Sequence, residues 1–433
     1  MLKKSTYKKT EIGEIPEDWE LVALGNISDS VSETYKFDDE QVVFLNTSDI
    51  FEGKVLHSDK SDPKILPGQA KKRIQKDDIL FSEIRPANKR YAFIDFDAPK
   101  HVVSTKLMVL QARPKILPKY LYTFLICPKT LTDFQILAES RSGTFPQITF
   151  QEISGYPVAL PPLSEQQQIV DFFYSVNDKI ELNRKMNKTL EEVVKAIFKR
   201  WFLDFEFLDD DNKPYKSSGG KMVDSELGDI PKGWKIVALG DVLSAIESGQ
   251  RPKGGVGKYN KGIPSIGAEN INGLANYDYS KEKYIPQDFY NKMTRGILKH
   301  KDVLLYKDGA YIGKKTIYRN EFPHAVCCIN EHVFILRTKD KLQNYLYFWL
   351  DQSGMTQEII NLNSNAAQPG INQEAIKSLK ILVPDDDALN TFDIFIEGVL
   401  SKIYENVKEN HFISQIRDSL LPRLMSGKLR VKS

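Results

Sequence analysis

Few of the residues that could do catalytic chemistry in this chain are spaced to do it. The six histidines are scattered, with no HxxxH or HxxEH spacing, and Cys127, Cys327 and Cys328 sit in no CxxC or Cys/His arrangement. That argues against a zinc site and a disulfide frame, and fits a reducing compartment. Gly254–Lys258 reads GGVGK, but Pro252 stands where a phosphate-binding loop needs its first glycine, and Tyr259 replaces the Ser or Thr. Gly309–Lys315 (GAYIGKK) is one residue short of the same pattern. Both read as glycine loops. There is no GxSxG, no Asn/Asp-Pro-Pro-aromatic stretch of the kind an adenine methyltransferase uses, and no nuclease-like acidic cluster; Asp385–Asp387 reads as a helix cap. The expectation is a non-catalytic chain with no metal of its own.

What the chain does carry is basic and amide side chains gathered in loops. In the first half these are Lys71, Lys72 and Arg73, then Arg85, Asn88, Lys89 and Arg90, then Arg141, Ser142, Thr144 and Gln147. In the second half they are Arg251 and Lys253, then Lys307, Tyr311, Lys314 and Lys315, then Asn363, Ser364, Asn365 and Gln368. Asn46, Thr47 and Ser48 follow one short apolar run; Gly267–Asn270, with Glu269 and Asn270, follows its counterpart. Lys and Arg grip phosphates, and Arg, Asn and Gln read base edges through paired hydrogen bonds. Any one cluster is also what a solvated loop contains; it is the family resemblance described below that makes the matched pair a reader of double-stranded DNA. A net charge of +2 does not oppose this, because a local basic face hides inside a neutral sum.

Those loops belong to a repeat. Gly13–Gly25 reads GEIPEDWELVALG and Gly228–Gly240 reads GDIPKGWKIVALG, with no gap between the copies. Further on, DILF at 78–81 answers DVLL at 302–305, and YLYTFL at 120–125 answers YLYFWL at 345–350. SGTFPQI at 142–148 answers NAAQPGI at 365–371, and a strand at 156–160 answers one at 379–383. Short β-branched and aromatic runs (41–45, 79–81, 90–94, 106–110, 303–306, 316–318, 332–336) broken by Gly, Pro, Asn and Asp predict strands and turns. Each copy is expected to be a mostly-β, α+β domain.

A long helix should follow each domain. From Pro161 to Trp201 the apolar residues Ile169, Phe172, Val176, Ile180, Leu190, Val194, Ile197 and Trp201 fall at helical spacing, with Ser164 as the predicted N-cap. Phe392, Phe395, Val399, Ile403, Ile413, Leu420 and Leu424 repeat the seam near the C-terminus, with Asp387 as the predicted cap. Asn183 and Asn187 interrupt the first seam; Asn406 and Asn410, each 223 positions later, interrupt the second. A buried Asn fixes register, so the helices are predicted to pair antiparallel, centre on centre, as a coiled coil with a pseudo-two-fold axis holding a domain at either end. The expected domains are 1–160, the helix 161–206, a linker 207–225, 226–384, and the second helix with its tail, 385–433. The basic start MLKKSTYKKT has no apolar run after it, and nothing approaches a membrane span. The reading is cytoplasmic.

The chain resembles the specificity subunit of type I restriction–modification systems. The likeness rests on the IPxxWxxVxLG openings (Ile15–Gly25, Ile230–Gly240), PPLxEQQxI at Pro161–Ile169, WFxDFE at Trp201–Glu206 and LLPxLMSGxL at Leu420–Leu429. The second helix lead-in, PDDDALNTF, departs from PPLxEQ. The resemblance implies two target-recognition domains, each reading half of a split, asymmetric DNA site, with the long helices setting the spacer. It further implies two methyltransferase subunits docked on those helices, carrying S-adenosylmethionine for adenine N6 methylation. Restriction subunits using ATP and Mg would join the same complex.

Overall fold

A computed structural model describes residues 6–36, 39–141, 144–209, 211–339, 342–363 and 370–431. The chain divides into two compact units, Met1–Lys179 with Ile413–Ser433, and Ile180–Phe412.

In the first unit an antiparallel sheet runs in the order Tyr91–Phe93, Ile79–Ser82, Leu107–Ala112, Ser28–Val31. Tyr91–Phe93, Ile79–Ser82 and the first half of Leu107–Ala112 are mostly apolar and buried because both faces are covered, whereas the edge strand Ser28–Val31 (SDSV) exposes Asp29 and Ser30. Ile79 and Phe81 turn toward Tyr120, Leu121 and Phe124 of the helix Pro118–Leu125. Leu80, between them, turns toward Val43, Leu45 and Val103 of a second sheet. Alternate residues of one strand thus serve two cores. The second sheet has the order Lys60–Ser61, Val42–Leu45, His101–Ser104, Ala70–Arg73, with Val42–Leu45 and His101–Ser104 parallel.

The second unit repeats this plan. Leu243–Ser248, Val333–Thr338, Val303–Tyr306 and Lys315–Ile317 form its antiparallel sheet. Val303 and Leu305 pack toward the helix Gln343–Leu350, and Leu304 toward Ile266 and Ile329. Ile263–Ile266 and Cys328–Ile329 form its parallel pair.

The strand, the tryptophan and the last glycine of the repeated opening motif each have a physical reason. Glu20–Ala23 pairs with Pro157–Leu160, and Lys235–Ala238 with Lys380–Val383. Trp19 and Trp234 are buried and donate their indole N–H to acids at the start of a long helix, Glu165 at 3.0 Å and Asp385 at 3.1 Å. A Cβ on Gly25 would come within 3.1 Å of the Ser154 side chain, and one on Gly240 within 2.9 Å of Lys377. Glycine is what lets these backbones approach so closely.

The long helices are Leu163–Phe202 and Asp386–Met425, 40 residues each, or about 60 Å at ~1.5 Å per residue. Their starts differ from expectation. Ser164 lies inside the first helix, whose opening amides bond to the carbonyl of Pro162. Asp385, not Asp387, caps the second, accepting from the Ala388 amide at 2.8 Å. The two helices pack antiparallel as a coiled coil. In the first unit Ile169, Val170 and Phe173 share a core with Leu421, Leu424 and Met425. In the second, Val194, Phe198 and Phe202 share one with Phe392, Ile396 and Leu400.

The asparagines meet at the centre. Asn183 donates to Asn410 Oδ1 at 2.9 Å, and Asn406 donates to Asn187 Oδ1 at 2.8 Å. Asn187 donates to the Ile403 carbonyl and Asn410 to the Ile180 carbonyl. Each bond becomes its partner under the 223-residue shift, so the helix centre has local two-fold symmetry.

Residues 207–225 are not a free linker. Phe207 is buried, stacked between Tyr215 at 4.6 Å and Trp234 at 5.0 Å between ring centroids. Met222–Val223 pairs with Ile230–Pro231. Among the described residues no helix is long and apolar enough to cross a membrane, and no group of His, Cys, Asp and Glu could hold a metal ion.

Candidate nucleic-acid interface

Three of the predicted loops of the first unit come together. The segment 83–90 joins Ile79–Ser82 to Tyr91–Phe93. Arg85 is exposed, and its guanidinium donates to the Thr144 carbonyl at 3.3 Å. Ile84 bridges to Gln147, and the Gln147 side chain accepts from Lys106 at 3.3 Å. Arg90 donates to the carbonyls of Ser48 and Ile50 and lies over the Phe51 ring. Asn88 and Lys89 are exposed, with Lys89 2.7 Å from Glu52. Arg90 is therefore a brace, while Arg85, Asn88 and Lys89 face outward.

Lys106 and Gln135 were not singled out by spacing. Gln135 accepts from the Ala87 amide at 3.0 Å and so pins the loop from the helix Pro128–Arg141. Lys106 lies in the turn between His101–Ser104 and Leu107–Ala112, a position a strand-and-turn reading could have marked.

Several predicted contacts have local partners. Asn46 caps the turn Thr47–Asp49, accepting from Thr47 at 2.8 Å, and exposed Ser48 donates to Asp49 at 3.0 Å. Lys72 is half-buried and donates to the Leu107 carbonyl at 2.8 Å; burial pushes its ammonium down from its usual value. Lys71 and Arg73 on the same strand are exposed, Arg73 beside Glu33 at 3.4 Å. The helix Pro128–Arg141 reaches Arg141, but that side chain and Ser142 lie outside the described residues.

In the second unit Asn270 is 1% exposed and closes its own turn, accepting from the Gly267 amide and donating to the Asp278 carbonyl. Lys315 has 5% side-chain exposure, bonds Thr356 at 2.8 Å and faces Asp351; burial pushes its ammonium down. Neither buried side chain is placed to touch a ligand, which corrects the expectation for both. Glu269 is ion-paired to Lys283. Lys307 lies 2.8 Å from Asp308, and Arg251 2.8 Å from Glu331. Tyr311 is exposed, with the Lys314 ammonium 4.4 Å from its ring centre, and Lys253 is exposed. Ser364, Asn365 and Gln368 lie outside the described residues. The side chains at the loop tips thus differ between the units: Arg85, Asn88 and Lys89 in the first, Tyr311 with Lys314 over its ring in the second.

Comparison with known proteins settles the family. Residues 16–192 and 231–406 each match the type I restriction modification DNA specificity domain. The HindI specificity subunit of Haemophilus influenzae is 32% identical over 480 residues, spanning 95% of this chain and all of its own length.

The chain belongs to the family of type I restriction–modification specificity subunits.

The MjaIX specificity subunit of Methanocaldococcus jannaschii is 24% identical, covering 99% of this chain and 98% of its own. The crystal structure of a type I S subunit from M. genitalium has the same fold: TM-score 0.56, 13% identity, 94% of this chain and 96% of that one. Within this specificity subunit the two domain matches begin at Pro16 and Pro231, the same position of the repeated opening motif.

Proposed function

We propose that this specificity subunit reads a bipartite, asymmetric DNA site, one unit to each half, and does no chemistry itself. The observation that carries this is one scaffold built twice with unlike loops. Residues 84–90 (IRPANKR) and 308–314 (DGAYIGK) link equivalent strands but present different side chains. Two readers on one frame fit a target whose halves differ. On this reading the paired helices fix the spacing between halves and dock two methyltransferase subunits. S-adenosylmethionine sits in those subunits, and the target adenine is flipped into their pocket. Restriction subunits with ATP and Mg complete the complex. Three free, buried thiols fit assembly in the cytoplasm.

The test is methylation mapping of the genome of cells carrying this chain with its methyltransferase subunit. One split motif with unlike halves is expected; a single contiguous motif would overturn the proposal. A scaffold that binds only protein would show no salt-dependent affinity for DNA, whereas phosphate contacts make affinity fall steeply with salt.

A further inference from the structure

The loops 83–90 and 307–314 have the same length, eight residues between equivalent strand pairs. They have the same frame. Phe81 faces Tyr91 as Leu305 faces Lys315. The Ile148 amide donates to the Glu83 carbonyl at 2.8 Å, and the Ile371 amide to the Lys307 carbonyl at 2.8 Å. Within the loops the Asn88 amide donates to the Arg85 carbonyl, and the Ile312 amide to the Gly309 carbonyl. Both loops turn left-handed at the same two places. In the second unit these are Gly309 (φ 67°) and Gly313 (φ 86°). In the first they are Arg85 (φ 44°) and Lys89 (φ 55°).

A left-handed φ is nearly free for glycine and strained for a residue with a side chain. Positive φ alone singles out nothing here, since ten non-glycine residues among those described have it. What separates Arg85 and Lys89 is that the twin loop shows the unstrained solution to the same geometry. Space does not force the difference: a Cβ on Gly309 would meet nothing within 4 Å, and one on Gly313 would make only side-chain contacts at 3.4 Å and beyond, with Ile360 and Thr356. Local bonding does not explain it either. Arg85 makes one 3.3 Å bond to a carbonyl, and Lys89 pairs with Glu52 while both side chains stay about half exposed (51% and 46%). An ion pair that exposed contributes little. Strained residues retained at exposed loop tips mark a use for their side chains.

We infer that Arg85 and Lys89 hold their strained positions for their charges, as phosphate contacts of the first unit on its half-site. This rests on the reading above that the first unit meets DNA.

The experiment uses the full chain assembled with its methyltransferase subunit, and duplex DNA carrying the mapped site. Arg85→Gly with Lys89→Gly is expected to raise the melting temperature by about 2–4 °C. The same double variant should weaken binding by about tenfold or more and make the slope of log K against log salt shallower by about 2. Arg85→Gln keeps the backbone strain and removes the charge, so it should weaken binding without the thermal gain. If the variants bind with unchanged affinity and slope while the wild type binds its site, the inference is wrong and the proposed function stands. If the wild type itself shows no salt-dependent DNA binding, the functional reading falls, and this one with it.

Discussion

Trp19 and Trp234 occupy the same place in the repeat, yet they solve the helix start with different acids. Glu165 is 6% exposed and is held by Trp19 and by Arg430, whose guanidinium also reaches Asp18 at 2.8 Å. The two acids push the Arg430 guanidinium well above its ordinary value. Trp19→Phe removes one donor and should lower stability by about 1–2 kcal/mol. Arg430→Ala leaves a buried carboxylate short of its cation and should cost more, about 2–3 kcal/mol. Urea unfolding midpoints rank the two; the opposite order would refute the argument. In the second unit burial pushes the Glu397 carboxyl up, but hydrogen bonds from Lys301, Arg319 and Asn344 outweigh it and hold it at about 2, below the usual 4.5. A depressed carboxylate contributes its stability above the unfolded value and loses it as pH falls. The contribution should therefore be complete above about pH 4.5 and fade toward pH 2, and Glu397→Gln should flatten the stability profile over that window. The acid partners of both tryptophans could not be assigned from sequence. The motif shows that an indole is needed, while the bond it makes spans 146 residues in one copy and 151 in the other.

At the scale of elements, the long helices were legible because their seam has a period and nothing breaks it. Their starts were not. A proline carbonyl can receive the first helical amides without a side-chain cap, and Pro162 does so, leaving Ser164 inside the helix. The segment 207–225 misled for a different reason. Its composition is polar, but two aromatics, Phe207 and Tyr215, are enough to lay it on Trp234. The asparagine centre was legible as a matched interruption, and it yields a quantitative expectation. Asn183→Leu removes the bonds to Glu409 and Asn410, at 2.8 and 2.9 Å, and should cost about 1–3 kcal/mol. Asn183→Leu with Asn410→Leu should cost less than the sum of the singles, a coupling of at least about 0.5 kcal/mol in a denaturation cycle. Strict additivity would mean that the pair does not interact.

At the scale of the whole molecule the repeat, the two mostly-β units and their loops were all readable, but single reading residues were not. Lys71 and Lys72 are neighbours in sequence, and strand alternation exposes one while Lys72 reaches back to the Leu107 carbonyl. Asn270 looked like a base reader and is a turn lock, because an amide satisfies a backbone as readily as a base edge. Since each unit has its own cores among the described residues, exchanging residues 26–160 for the matching segment of a relative should change one half of the methylated motif and leave the other intact. Methylation mapping reads the result directly. A change in both halves would show that the units do not recognise independently.

The symmetry of the asparagine lattice reaches beyond the single polypeptide. Asn183 and Asn187 present the same donors and acceptors that Asn406 and Asn410 present in return. A truncated protein stopping after the first rod would carry a surface complementary to itself. Two copies would then meet through the same four bonds, closing as a homodimer.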